Sequence, residues 1–287
     1  MPILRIYLLA VSLVLAGLTQ TVYAAAETDA LSAVLASRND EDKARDEARQ
    51  PLETLRFFQI RPGMTIAEAL PGGGWYTRIL ANYLGKEGTL YGVNYPDSLW
   101  PMLSYASPEW IAERIAATKN FATKVASFTD NGITAQGFTF DTVPTEVEGT
   151  VDRVLLIRAL HNLNRFQPEA DTRSQALAAT HAMLKKDGLV GVVQHRAPVT
   201  FSEEWANGNR GYLNQAAVVA MFAEAGFALV AQSEINANPM DQPSGQDSVW
   251  RLPPSLRGSN HDEQREAMVA IGESDRMTLL FRKVPVN

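Results

Sequence analysis

The sequence predicts an α/β protein built on a mostly parallel sheet with helices on both faces, and three observations lead there. Short apolar runs recur along the chain, and segments of helical spacing stand between most of them. One of these runs, Val154-Leu155-Leu156-Ile157, is apolar without interruption, as suits a strand buried on both faces. Three consecutive glycines, Gly72-Gly73-Gly74, follow the first run and precede a helix-like segment. Sheets of this kind bind ligands at that edge when the first strand is central.

The elements follow in order. Asp40 to Phe58 has helical spacing, with Leu52, Leu55, Phe57 and Phe58 on its apolar side and a break expected at Pro51. Arg61-Pro62-Gly63 is a turn, and Met64 to Glu68 is the first strand. A helix from Tyr76 to Tyr83 comes after the glycines, then a strand from Gly88 to Asn94. Pro108 to Val125 reads as one helix, with Trp110, Ile111, Ile115 and Phe121 at spaced positions. Further strands are Ile133 to Phe140, Val151 to Arg158 and Leu189 to Gln194, the last preceded by a helix at Gln175 to Leu184 and a turn at Lys185 to Gly188. A helix from Asn214 to Ala225 and strands at Phe227 to Ile235 and Arg276 to Arg282 bring the sheet to seven strands.

The first residues stand apart. Met1 to Arg5 is short and weakly positive, Ile6 to Leu18 is uncharged and apolar, and Val22-Tyr23-Ala24 or Ala24-Ala25-Ala26 offers small residues for cleavage. That order matches a secretory signal peptide, expected over residues 1–26. The apolar run is short of the about 20 residues a bilayer span needs, so no stable membrane span is expected after signal removal. A periplasmic or secreted location is expected. The chain has no cysteine, which excludes disulfides and a cysteine-borne lipid and leaves stability to the core. Residues 27–60 then form an N-terminal helical segment, and 61–287 the α/β domain. With a formal net charge of -6 and no basic run, nucleic acid is not an expected partner.

The glycine turn can be tested against three cofactor types. A phosphate-binding loop needs Gly-Lys-Ser/Thr, but Trp75-Tyr76 follow Gly74. A dinucleotide fingerprint needs a third glycine where Thr77 stands. The segment instead resembles motif I of class I S-adenosylmethionine-dependent methyltransferases, with Glu68 at the acidic position, Gly72 and Gly74 at the second and third glycines, and Leu70 where the first is usual. Further stretches are similar to a family of exported, predicted methyltransferases: Arg45 to Phe58, Arg61 to Met64, Pro71 to Thr77, Arg158 to Asn162, Ser233 to Pro239, Arg251 to Leu256 and Ile271 to Met277.

The resemblance implies a Rossmann-like class I methyltransferase sandwich over 61–287, S-adenosylmethionine as cofactor and a small-molecule acceptor. It assigns cofactor contacts to Glu68, Pro71, Gly72, Gly73, Gly74, Tyr76, Asn94, Thr139 and Asp141. Asn94 stands where the family has an acidic residue for the ribose hydroxyls, and Asp141 is equally well a turn residue before Pro144. His161 and Arg158, after the fourth strand, are the catalytic candidates. His161 is either a base for the acceptor or a residue that caps a helix or packs in a loop; Arg158 binds an anionic substrate group or the cofactor carboxylate, or pairs with Glu68. His195 is a second candidate on the same edge, and His181 reads as structural.

Arg45, Asp46 and Arg49 read as a solvated helix face or a lid, and Glu273, Asp275 and Arg276 as a buried ionic corner. No metal site is expected, because His261 has no suitably spaced partners. Two other functions compete: an exported ligand-binding protein on the same fold, and a nicotinamide-dependent reductase. The second is disfavoured by Thr77 and by the lack of a Tyr-x-x-x-Lys pair.

Overall fold

A computed structural model describes residues 30–284, so the signal-peptide expectation over 1–26 lies outside the described residues. Helix α1 (residues 30–37) leads into three short helices, α2 (Asp40–Lys43), α3 (Asp46–Arg49) and α4 (Pro51–Phe57). Asn39 caps α2 by accepting from the Asp42 amide, and Pro51 opens α4 where its missing N–H costs no hydrogen bond. Then come β1 (Thr65–Ala69), α5 (Trp75–Leu84), β2 (Thr89–Asn94), α6 (Pro108–Lys119), α7 (Phe121–Ala126), β3 (Thr134–Thr139) and β4 (Val151–Ile157). The chain continues through α8 (Leu160–Arg165), α9 (Gln167–Ala170), α10 (Thr172–Met183), β5 (Leu184–His195), α11 (Gln215–Glu224), β6 (Phe227–Ser233), α12 (Asp262–Ile271) and β7 (Arg276–Lys283).

The seven strands form one sheet in the order β3-β2-β1-β4-β5-β7-β6. The first five strands pair parallel to one another, and β7 runs antiparallel to both β5 and β6. The order reverses between β1 and β4, which makes their carboxyl ends the switch point. Alternation along β4 sorts the core into two layers. Val154 and Leu156 face a layer with Leu160, Leu177 and Phe222, from α8, α10 and α11. Leu155 faces the other layer, with Leu31, Leu55, Ile79 and Val125, from α1, α4, α5 and α7. The N-terminal helices therefore share the core of the sheet domain.

Two expectations change. The single helix over 108–125 is two helices, broken at Asn120, which accepts a backbone bond from Lys124 while donating its own N–H to Ala116. The break lets α6 and α7 follow the sheet separately, with the Thr118 carbonyl and Phe121 pressed against Gly137 and Phe121 also against Gly92. Strand β5 starts at Leu184 rather than Leu189, because Val151 already pairs with Leu184; the expected turn residues Lys185 to Gly188 sit in the resulting irregularity.

Phe58 is fully buried and lies flat on Gly191 of β5, where an added Cβ would sit 2.6 Å from its ring. Gly191→Ala is expected to lose about 1–3 kcal/mol of unfolding free energy in urea, because the ring and the N-terminal helices behind it must shift. An unchanged midpoint would show that this packing is not tight.

Candidate functional site

Strand β1 ends at Ala69, and the Leu70 N–H is donated to the Val93 carbonyl at 2.8 Å. The chain then turns through positive φ at Leu70 (50°), Gly72 (54°) and Gly74 (84°) before α5 begins. Leu70 thus adopts the backbone that a glycine supplies freely, at a position where its side chain packs on the core. Strand β4 ends the same way: the Arg158 N–H bonds the Val193 carbonyl at 2.6 Å, and Arg158 has φ 56°. Lys124 pins the turn from outside, donating to the Gly72 carbonyl at 2.7 Å.

Two cavities open at this edge. One of about 410 Å³ lies among the turn, Arg45, Arg49, Glu68, Tyr76, Arg158, His161, His195, Trp250, Glu273 and Ser274. The other, about 250 Å³, is bounded by Asn94 and Tyr95 at the end of β2, by Trp100, Trp110 and Phe121, and by Arg165. Leu70, Pro71, Gly72 and Asn162 border both, so the glycine turn is the ridge between them. A side chain at Gly73 would meet no heavy atom within 4 Å, which leaves the backbone there open to a ligand.

Glu68 is buried at the ridge. Burial pushes its carboxyl up to about 7, although the Thr77 hydroxyl, donating at 2.6 Å, and the charge of Lys124 pull the other way. The pairing of Arg158 with Glu68 is not formed; Thr77 is the side-chain hydrogen-bond partner.

His161 is buried and its tautomer is fixed. The Gln194 amide nitrogen donates to the carbonyls of His195 (3.2 Å) and Gly211 (2.8 Å), so its oxygen is the acceptor facing His161. That oxygen takes the His161 backbone N–H and lies 3.1 Å from Nδ1, which must carry the proton. Nε2 is left with the lone pair. Burial first, and the nearby charges of Arg158 and Arg165 after it, bring the imidazole down to about 4 against the Gln194 bond. His195 stands 5.1 Å away between ring centres, its Nδ1 2.5 Å from the Ser274 hydroxyl, and burial holds it far below the usual histidine value.

The far wall is ionic. Glu273 accepts from Arg45 (2.9 and 3.1 Å) and Arg49 (3.2 Å) on one oxygen, and from Arg276 (2.9 Å) on the other. Burial opposes its charge, but Arg49, Arg276, Arg158 and Arg45 together hold the carboxyl below its usual value. Arg49 is 1% exposed, its guanidinium 4.6 Å from the centre of the Trp75 ring, so it is part of the cavity wall and not a solvated helix face. Burial and the charge of Arg158 bring it down to about 9, with Glu273 opposing. Trp75 is fixed in turn by its indole N–H on the Asp42 carbonyl (3.1 Å), and Asp42 binds Arg78 at 2.6 and 2.8 Å.

The structure brings Glu68, Pro71, Gly72, Gly73, Tyr76, Arg158 and His161 to the larger cavity and Asn94 to the smaller. The Asn94 amide donates to the Thr118 hydroxyl at 2.9 Å. Gly74 serves as the N-cap of α5. Thr139 and Asp141 border neither cavity; the Thr139 hydroxyl donates to Asp141 at 2.5 Å and lies 2.7 Å from that of Thr142. Sequence reasoning missed Gln194, Ser274, Trp250 and the aromatic slot. Gln194 had a signal, a polar residue ending an apolar strand. Among the described residues no cluster of three or more His, Asp or Glu could hold a metal ion, and no helix is long and apolar enough to cross a membrane.

The fold is the Rossmann-like sandwich expected from the sequence, with seven strands, helices on both faces and an antiparallel β7. No family model matches the chain, and no curated protein does. Solved structures similar to it include a SAM-dependent methyltransferase from Aquifex aeolicus (13% identity, 88% of this chain and 98% of that one, TM-score 0.49). Another is 1,6-didemethyltoxoflavin-N1-methyltransferase from Burkholderia thailandensis, with bound 1,6-didemethyltoxoflavin and S-adenosylhomocysteine (14% identity, 93% and 90% covered, TM-score 0.46). A third is the [4+2]-cyclase SpnF (12% identity, 83% and 81% covered, TM-score 0.48). Likeness at this level leaves the reaction to be argued from the site.

The site makes a pH-dependent prediction. Glu68 has its folded value raised from 4.5 to about 7, so its contribution to stability is present below 4.5 and lost as pH rises through 7. Glu68→Gln keeps an acceptor for Thr77 and removes the titration. At about 1.4 kcal/mol per pKa unit, the variant should gain about 3 kcal/mol over the native chain between acid and alkaline pH, read by urea unfolding. A difference constant with pH would contradict the burial of this carboxyl. His161, lowered from 6.5 to about 4, acts oppositely: its contribution is present above 6.5 and lost as pH falls toward 4, in both proteins.

Proposed function

We propose that this protein is an S-adenosylmethionine-dependent methyltransferase acting on a small-molecule acceptor. The observation that supports this reading best is the pair of cavities meeting at the glycine turn, one walled by aromatic rings and the other by arginines and a carboxyl. A ligand with a flat base at one end and an amino acid at the other matches that division. The residues fit such a ligand. Tyr95, Trp100 and Phe121 offer apolar faces to a base, and Asn94, whose amide nitrogen donates to Thr118, offers its amide oxygen to sugar hydroxyls. Both terminal nitrogens of Arg49 are buried without a hydrogen-bond partner, as a carboxylate would require. No group in the turn answers to a pyrophosphate.

When bound, S-adenosylmethionine supplies a methyl group activated by its sulfonium charge. The protein's own part is position and proton handling. Gly72 and Gly73 let the backbone approach without a Cβ, and Lys124 keeps the turn from moving. His161, neutral at physiological pH with Nε2 unprotonated, can take the proton that an acceptor hydroxyl or amine must lose. Trp250 and Pro253 line the same cavity. Catalysis on this reading comes mainly from holding the reactants in line.

One observation favours a second reading, a non-catalytic exported ligand-binding protein on this fold: the Asn94 amide is already committed to Thr118. Binding without turnover would select it. Export itself is proposed from residues 1–26, and the mature protein is expected to begin after Ala24 or Ala26 when recovered from a periplasmic fraction and sequenced.

Calorimetric titration tests the main reading. S-adenosylmethionine and S-adenosylhomocysteine should bind and NADH should not. Gly73→Asp should abolish binding by filling the open space with a charge. His161→Ala should leave the affinity within about threefold while lowering methyl transfer by roughly 10²-fold or more. Absence of binding by either sulfur ligand would sink the proposal.

A further inference from the structure

We infer that the methyl acceptor is a small anion, bound through its carboxylate or phosphate by Arg158. The inference rests on the methyltransferase reading above and deepens it by naming the substrate class.

The charges around the larger cavity do not balance. Arg45, Arg49, Arg158 and Arg276 converge on Glu273, whose two oxygens already accept from three of them. The second carboxyl of the cavity, Glu68, is buried with Thr77 and faces the ridge. Arg158 is the guanidinium left over: among the described residues its side chain forms no hydrogen bond or ion pair, yet it lines the cavity. An arginine in a largely desolvated site without a hydrogen-bonded counter-charge is costly, and it is arranged for a partner that arrives with the ligand.

Position separates this arginine from the cofactor's end. Arg45 precedes α3 and Arg49 ends it, Arg49 lying beside Trp75 and Tyr76 at the start of α5. The partnerless nitrogens of Arg49 are enough for one amino-acid carboxylate. Arg158 stands after β4 and precedes His161 by three residues, on the side where the acceptor's proton would be taken. Its left-handed backbone, φ 56°, is held by the 2.6 Å bond of its N–H to Val193, a strained setting of the kind found at ligand sites. His161 and His195 are neutral and add no positive charge of their own, so the anion's place is set by the guanidinium.

The test uses three anions and their neutral counterparts: benzoate with benzamide, succinate with succinamide, and phenyl phosphate with phenol. Each is titrated calorimetrically into the full-length mature protein, alone and saturated with S-adenosylhomocysteine. At least one anion should bind the loaded protein ten times or more tighter than its neutral partner. Arg158→Met should cut that preference by tenfold or more while S-adenosylhomocysteine affinity stays within about threefold. Arg158→Lys, which keeps the charge, should retain part of it. If none of the anions is preferred by the native protein, with or without the sulfur ligand, the inference fails without any variant being needed. If Arg158→Met weakens S-adenosylhomocysteine and not the anions, Arg158 belongs to the cofactor, and the inference fails while the methyltransferase reading stands. If S-adenosylhomocysteine does not bind but an anion does so through Arg158, the anion subsite stands and the methyltransferase reading falls.

Discussion

Glu273 holds the two ends of the described chain against the cavity. Its carboxylate joins Arg45, which precedes α3, and Arg49, which ends it, to Arg276 at the start of β7, and Arg276 also donates to the Ala48 carbonyl. Burying so many charges is expensive, and removing the single negative member would leave guanidiniums uncompensated, a loss of about 3–5 kcal/mol for a buried pair. The cluster's contribution is therefore to geometry more than to net stability. It fixes where the N-terminal helices dock, and with them the wall that carries Arg49 and, through Trp75, the first turn of α5.

The remaining geometry comes from the sheet. Because the strand order reverses between β1 and β4, the chain leaves the two central strands in opposite directions and opens a crevice between them. Both exits are made alike, with an N–H tied to a carbonyl near the end of the neighbouring strand and a residue, Leu70 or Arg158, turned into positive φ. Those turns place the glycine ridge and the arginine on the two sides of one opening. The buried histidines complete it from β5 and α8, with Gln194 fixing the tautomer of one and Ser274 holding the other.

Much of this was legible in the sequence, for identifiable reasons. Short apolar runs, one of them continuous, gave a strand for each of the seven, and the glycine turn marked the end of β1. Leu70 read as a departure from the motif; the structure shows the glycine-like backbone kept by a residue whose side chain the core holds. What stayed hidden depends on pairing across the chain. Nothing local distinguishes Arg49 from a surface arginine, because its burial is produced by Trp75 and by a glutamate that follows 224 residues later. The break at Asn120 escaped because helical spacing continues through it, and the early start of β5 depends on Val151 as a partner. The aromatic slot draws on Tyr95, Trp100 and Trp110, spread over a loop and two helical elements with no common period.

The claim on which the functional account turns is that the two cavities are one ligand site divided by the glycine ridge. A crystal structure of the protein grown with saturating S-adenosylhomocysteine tests it most directly. One molecule should span Leu70 to Gly73, its base among Tyr95, Trp100 and Phe121 and its carboxylate at Arg49. A base lodged among the arginines, or a ligand confined to one side of the ridge, would contradict it.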